Sequence, residues 1–109
     1  MQLSQESAAP PLLIIMNAGS GHNDTDQTKD TIERTVQASG RAFRMILVED
    51  PSQIEQIAQR TVSEAKACKG VVVVAGGDGT INTVANAVLG SGCPFGVLPQ
   101  GTFNYFGRT

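Results

Sequence analysis

A run of five apolar residues, Val71 to Ala75, ends abruptly at a glycine-rich segment, residues 76–80. A strand with one face in water alternates apolar and polar residues, whereas this run is apolar at every position. It therefore predicts a strand that is buried on both faces. Strands of that kind occur in parallel sheets with helices packed on both sides. This one segment restricts the chain to an α/β fold.

The rest of the chain repeats the same alternation. Shorter apolar runs at residues 12–16, 43–48 and 95–98 predict three more strands, and the segments between strands have apolar residues at helical spacing. The order β-α-β-α-β-α-β predicts a three-layer α/β domain, with a parallel sheet between helices on both faces. We expect residues 1–11 to form a flexible leader and residues 12–109 to form one domain.

Capping residues predict where the helices begin and end. Ser52, followed three residues later by Glu55, has the capping-box pattern, and Thr80 is the expected N-cap of the third helix. The first helix is expected from about residue 24. The single glycines that follow the three helices are expected to end them; they are Gly40, Gly70 and Gly90.

Composition excludes several classes of function. A formal net charge of −2, with scattered basic residues, gives no general attraction to nucleic acid. Two cysteines and one histidine are too few for a zinc site, so we expect no metal held by the protein alone. The N-terminus has no long apolar segment, so we expect a cytoplasmic protein.

Three glycine-rich or polar loops follow the first, third and fourth strands. Parallel strands all end at the same edge of their sheet, so these loops should meet there, where open α/β sheets bind ligands. Glycine lets a ligand approach the backbone, and the amides of such turns, together with a helix N-terminus, bind anions. The candidate phosphate-binding residues are Asn17, Gly19, Ser20, Gly21, Gly76, Gly77, Asp78, Gly79, Thr80, Asn82, Gly101 and Thr102.

Two common phosphate-binding signatures are absent from the sequence. There is no Gly-Lys-Ser/Thr, which excludes a P-loop, and the G-x-G segments at residues 19–21 and 77–79 do not reach the third glycine of a dinucleotide-binding fingerprint. These loops contain no lysine, so Mg²⁺ would have to neutralise much of the phosphate charge.

Residues 76–82, GGDGTIN, resemble the GGDGT-x-N signature of diacylglycerol kinases, sphingosine kinases and related bacterial lipid kinases. NAGSG at residues 17–21 is similar to the family's N-P-x-S-G segment, and LPQGTFN at residues 98–104 is similar to its L-P-x-G-T-x-N segment. NAD kinases share chiefly the Gly-Gly-Asp-Gly core. Three motifs in the family's order, over about residues 12–108, therefore favour the lipid-kinase branch.

The resemblance implies an N-terminal nucleotide domain whose active site faces a second, β-rich domain that this chain lacks. It implies ATP and Mg²⁺ at the glycine-rich loops, transfer of phosphate to a diacylglycerol-like or sphingoid lipid at a membrane surface, and Asp78 as the catalytic residue. The loop around Glu49 and Asp50 would face the nucleoside. These 109 residues alone would then be inactive.

The sequence departs from the family pattern at three positions. Ala18 stands where the family has proline, Thr83 where glutamate commonly follows Asn82, and Tyr105 where aspartate commonly follows Asn104. Two other interpretations therefore stay open: a catalytically silent nucleotide-binding or interaction module, and an NAD kinase-like enzyme. A sheet left without its second domain would expose an edge strand and apolar surface, so we also expect self-association as a homo-oligomer.

Overall fold

The computed structural model describes residues 10–17 and 22–99. Its elements follow the alternating order that the sequence predicts. They are β1 (Leu12–Asn17), α1 (His22–Ser39), β2 (Phe43–Val48), a 3₁₀ turn (Pro51–Gln53), α2 (Ile54–Cys68), β3 (Val71–Gly76), α3 (Asp78–Val88) and β4 (Phe95–Pro99). The strands at β1, β3 and β4 each extend one residue beyond the predicted run, and α1 begins two residues earlier than expected.

The four strands form one parallel sheet in the order β2-β1-β3-β4. Ile14 in β1 pairs with Met45 on one side and with Val73 on the other, and Val73 pairs with Gly96 in β4. The chain moves outward from β1 to β2 and then returns to the other side of β1. Between β1 and β3 the strand order therefore reverses, which is where a crevice opens at the carboxyl edge of such sheets.

Helices cover both faces of the sheet, as predicted. On one face the side chains of Ile14, Met16 and Val73 pack around Ile32 of α1. The opposite face packs against α2 and α3 through a larger set of buried residues. That set includes Leu13, Ile15, Val72, Val74, Ala58, Val62 and Val84. The continuous apolar runs are thus explained by burial on two sides, which confirms the three-layer α/β class.

Among residues 10–17 and 22–99, α1 leaves part of its face of the sheet open. A cleft of about 560 Å³ lies between α1 and β4, lined by apolar side chains that include Val36, Val73 and Leu98. Within the described part of the chain, no helix is long and apolar enough to cross a membrane.

The prediction that Gly70 ends α2 is wrong. Lys69 takes the left-handed conformation there, with φ 58° and ψ 41°. Gly70 is instead buried, and an added Cβ would lie 3.0 Å from the carbonyl oxygen of Pro11. A close approach of two backbone segments therefore requires this glycine. Gly40 and Gly90 do have positive φ, at 78° and 80°, just beyond the helices they follow.

The predicted capping box at Ser52 and Glu55 is also wrong. Asp50 is the capping residue, because its carboxylate accepts hydrogen bonds from the Ser52 backbone N–H (3.0 Å) and the Ser52 hydroxyl (2.8 Å). Pro51 occupies the first position of the turn, where its fixed φ fits and its missing N–H costs nothing. The turn therefore begins before Ser52, and α2 continues from it at Ile54.

Candidate functional site

A single residue, Gly77, separates the end of β3 from the start of α3. Gly77 is extended (φ −86°, ψ −176°), and its carbonyl accepts a hydrogen bond from the Ile81 N–H at 3.0 Å. The N–H groups of Asp78, Gly79 and Thr80 precede that bond and so have no acceptor within the helix. Together with the helix dipole, they make the carboxyl edge of β3 a site that favours an anion.

Thr80 is not the N-cap that the sequence predicted. It lies inside the first turn of α3, and it is only 6% exposed. Its hydroxyl oxygen accepts a hydrogen bond from the Asn17 side-chain amide, at 3.1 Å between Nδ2 and Oγ1. The helix starts at the extended Gly77, so the Thr80 hydroxyl is not used as a cap. It instead links α3 to the end of β1 through this hydrogen bond.

Gly76 fits tightly beneath this turn. A Cβ at Gly76 would lie 3.1 Å from the Thr80 Cβ, whereas a Cβ at Gly77 or Gly79 would meet nothing within 4 Å. Gly76 is therefore required by packing inside the protein. Gly77 and Gly79 are exposed, and they leave the amides at the helix start open to a ligand.

A cleft of about 370 Å³ opens in front of these residues. It is bounded by the end of β1, the 3₁₀ turn, and the first turns of α2 and α3. Its lining residues are Asn17, Pro51, Ser52, Ile54, Glu55, Gly79, Thr80 and Thr83. The described residues that line it include no lysine or arginine, so any positive charge that they offer an anion comes from backbone amides.

The loop after β2 forms one wall of this cleft, but not through the residues that the resemblance indicated. Pro51 and Ser52 line it, whereas Glu49 and Asp50 do not. The hydrogen bonds from the Ser52 hydroxyl and N–H lower the pKa of Asp50, so this carboxylate keeps its charge and holds the turn in place.

The structure brings together the ends of β1 and β3, as the sequence predicted. Asn17, Gly79 and Thr80 line one cleft, with Gly76, Gly77 and Asp78 in the connection beside it. Asp78 is exposed and is the first residue of α3, not its N-cap. Asn82 is exposed on α3 and does not line the cleft. Gly19, Ser20, Gly21, Gly101 and Thr102 lie outside the described residues, so their part in the site stays a prediction.

Sequence reasoning missed Ser52, Glu55 and Thr83 as residues that line the cleft. The sequence pattern indicates helix capping for Ser52 and Glu55, and it marks Thr83 only as a departure from the family pattern. The signal that would have found them is the strand order: a helix that returns across β1 to β3 begins beside the crevice. That order cannot be read from the alternation of strands and helices alone.

Comparison with known proteins identifies the family. The model of the diacylglycerol kinase catalytic domain matches residues 11–109. The chain belongs to this family. The match includes both ends of the cleft, β1 with Asn17 and the β3–α3 connection.

Individual relatives are similar over short parts of their own length. An uncharacterized protein of Synechocystis is 28% identical over 100 residues, covering 85% of this chain and 23% of the relative. Sphingoid long-chain bases kinase 1 of Arabidopsis thaliana is 26% identical over 105 residues, covering 89% and 14%. A protein of Staphylococcus haemolyticus, provisionally named a lipid kinase, is 46% identical over 41 residues, covering 36% and 13%. The chain therefore spans less than a quarter of each of these relatives.

Proposed function

We propose that this chain is the ATP-binding half of a lipid kinase, which transfers the γ-phosphoryl group of ATP to the hydroxyl of a diacylglycerol-like or sphingoid lipid. The observation that supports it most is the start of α3. Three backbone N–H groups without helical acceptors lie in this turn, and two of its residues, Gly79 and Thr80, line a cleft at the reversal of strand order, in a member of the diacylglycerol kinase catalytic domain family.

The phosphates of ATP fit at the first turn of α3. Its amides supply hydrogen-bond donors, and the exposed glycines at positions 77 and 79 allow oxygen atoms to reach them. Asn17, held against Thr80, closes the opposite side. We propose that residues 19–21, 82, 101 and 102 complete the phosphate site from the neighbouring loops.

Mg²⁺ fits this site as a partner of the nucleotide. The described residues contain no group of three His, Cys, Asp or Glu side chains placed to hold a metal ion. Phosphate oxygens and water would therefore supply its ligands. When bound, Mg²⁺ would neutralise charge on the phosphates that no basic side chain of the cleft offsets.

In the proposed transfer, the single carboxylate of Asp78 takes up the proton that the reaction releases. Asp78 accepts the proton of the lipid hydroxyl as the lipid oxygen forms a bond to the γ-phosphorus, and the bond from that phosphorus to the β–γ bridging oxygen breaks to release ADP. The helix amides hold the phosphates in place during this step, which is the main contribution that a protein makes to phosphoryl transfer.

The lipid acceptor is proposed to bind outside these residues, on a second β-rich domain of the full-length protein, which would work in the cytoplasm at a membrane surface. The name of the Arabidopsis relative supports a sphingoid acceptor, and the family description supports diacylglycerol. Offering the full-length protein diacylglycerol, a sphingoid base and NAD in parallel decides among the acceptors. Phosphorylation of NAD alone would contradict the proposal.

Calorimetric titration of this chain with ATP and Mg²⁺, beside a phosphorylation assay on the same sample, tests the binding half. We expect binding without transfer. In the full-length protein, Asp78→Asn should lower turnover by about 10²–10⁴-fold, the usual contribution of a general base, while ATP binding persists. Asp30→Asn, an exposed change on α1, is the matched control. Unchanged turnover in Asp78→Asn would show that Asp78 is not the general base. Absence of ATP binding would refute the proposed function as a whole.

A further inference from the structure

The cleft at the start of α3 continues between two helices. A second cleft of about 230 Å³ is lined by Glu55, Gln59, Thr83, Asn86 and Ala87. Glu55 and Thr83 line both clefts. Because the two clefts share these residues, they adjoin, and we describe them together as a groove that runs from the first turn of α3 outward between α2 and α3.

Among the described residues that line the groove, Glu55 has the one charged side chain. Their other hydrogen-bonding side chains are neutral amides and hydroxyls. Among the described residues Glu55 has no ion-pair partner, since the described ion pairs join Lys29 to Glu33 and Arg44 to Glu64. The Thr83 hydroxyl donates to the Gly79 carbonyl at 3.0 Å, so it is already engaged within α3.

A carboxylate without a basic partner can interact favourably with a nucleotide in two ways, by accepting hydrogen bonds or by ligating a cation. Phosphate oxygens at this carboxylate would be repelled. The described residues include no cluster that could complete a metal site with Glu55. The hydrogen-bond donors of a nucleotide that lie beyond its phosphates are the sugar hydroxyls and the amino groups of the base, and the sugar is the first of these along an elongated ligand.

We propose that the Glu55 carboxylate accepts hydrogen bonds from the sugar hydroxyls of the bound nucleotide and so selects a ribonucleotide. The proposal rests on the proposed ATP-binding function and extends it to a residue outside the glycine-rich motifs. It also places the nucleoside beside α2 instead of at Glu49 and Asp50, neither of which lines the groove.

The test compares the affinities of ATP and 2′,3′-dideoxy-ATP, each with Mg²⁺, for the wild-type chain, Glu55→Ala and Glu49→Ala. Wild type should bind ATP about tenfold more tightly than the dideoxy nucleotide, the effect of one hydrogen bond to a charged group. Glu55→Ala should lower ATP affinity about tenfold and leave dideoxy-ATP affinity no lower, which removes the discrimination. Glu49→Ala changes an exposed carboxylate outside the groove, so it should preserve the wild-type preference.

An increase in ATP affinity on removing the Glu55 carboxylate would overturn the proposal. If Glu55 only repels phosphate, Glu55→Ala will bind both nucleotides equally well or more tightly than wild type does. Alanine is the best helix former and position 55 is exposed, so the variant should fold, which circular dichroism checks. Equal binding of ATP and dideoxy-ATP by wild type would refute the role of Glu55 and leave the proposed ATP-binding function standing. Failure of wild type to bind ATP would refute the proposed function and this inference with it.

Discussion

The substitution Gly76→Ala tests whether this glycine is required by packing within the fold, in contrast to the glycines that leave room for a ligand. A Cβ at position 76 would lie 3.1 Å from the Thr80 Cβ, 3.3 Å from its Cγ2 and 3.4 Å from its Oγ1. Two of these contacts are closer than ordinary van der Waals distance, and Thr80 is buried and hydrogen-bonded to Asn17. The first turn of α3 must therefore shift away from β3.

The expected cost follows from this overpacking. Adding a methyl group to a tightly packed site typically costs about 1–3 kcal/mol. Replacing glycine also restricts the unfolded chain, which offsets about 0.4–1 kcal/mol of that cost. A net loss of about 1–2 kcal/mol should lower Tm by roughly 5–10 °C in a domain of this size.

Gly77→Ala and Gly79→Ala are the matched controls, because an added Cβ meets no protein atom within 4 Å at either position. Gly79 is helical, so alanine there should stabilise the fold by up to about 1 kcal/mol. Both controls should nevertheless weaken ATP binding, since the new methyl group would lie where phosphate approaches the amides. Thermal unfolding followed by circular dichroism, with calorimetry for ATP, measures the two effects. The reasoning is refuted if Gly76→Ala is as stable as wild type, or if Gly79→Ala is destabilised while binding ATP normally.

Three further predictions concern the supports of the site. A double-mutant cycle with Asn17→Ala and Thr80→Val should give a coupling of about 0.5–1.5 kcal/mol in urea unfolding, the range for a neutral hydrogen bond; additive effects would argue against the observed contact. Lys69→Gly should raise the free energy of unfolding by about 1 kcal/mol, because glycine takes the left-handed conformation at position 69 without strain; a loss of stability would contradict this. Asp50→Asn tests the lowered pKa. Because the folded-state pKa lies below the unfolded value, the extra stability of wild type should be constant above about pH 5 and should disappear as the pH falls through the folded-state pKa; a difference that grows in acid would have the wrong sign.

Much of the fold could be predicted from local sequence because burial on two faces leaves a direct signal. The run from Val71 to Ala75 is apolar at every position, and it lies in the interior of the sheet with helices on both sides. Its junction with the glycine-rich segment correctly predicted a short connection into a helix at the carboxyl edge. The sequence also predicted that the loops after the first and third strands meet at one edge of the sheet, where the structure has the hydrogen bond between Asn17 and Thr80.

The errors share a physical cause, which is that residue type alone does not fix the backbone conformation at a helix end. Thr80 and Ser52 are good capping residues, yet Gly77 and Asp50 precede the respective turns and take the extended conformation that starts them. Gly70 follows a helix, but Lys69 takes the left-handed conformation that ends it. Gly70 is required for a different reason, because Pro11 leaves no room for a side chain at position 70. Glu55 could not be recognised as a residue that lines the cleft without knowing that α2 and α3 lie side by side at the crevice.

The proposed function requires that the amides at the start of α3 bind the phosphates of ATP. The most direct measurement is a titration of the ¹⁵N-labelled chain with ATP and Mg²⁺, followed by two-dimensional NMR. We predict that the largest shifts fall on the amides of Asp78, Gly79 and Thr80, with smaller shifts at Ser52 and Glu55 on the facing wall. Shifts concentrated instead at the apolar cleft between α1 and β4, around Val36 and Val73, would contradict the claim.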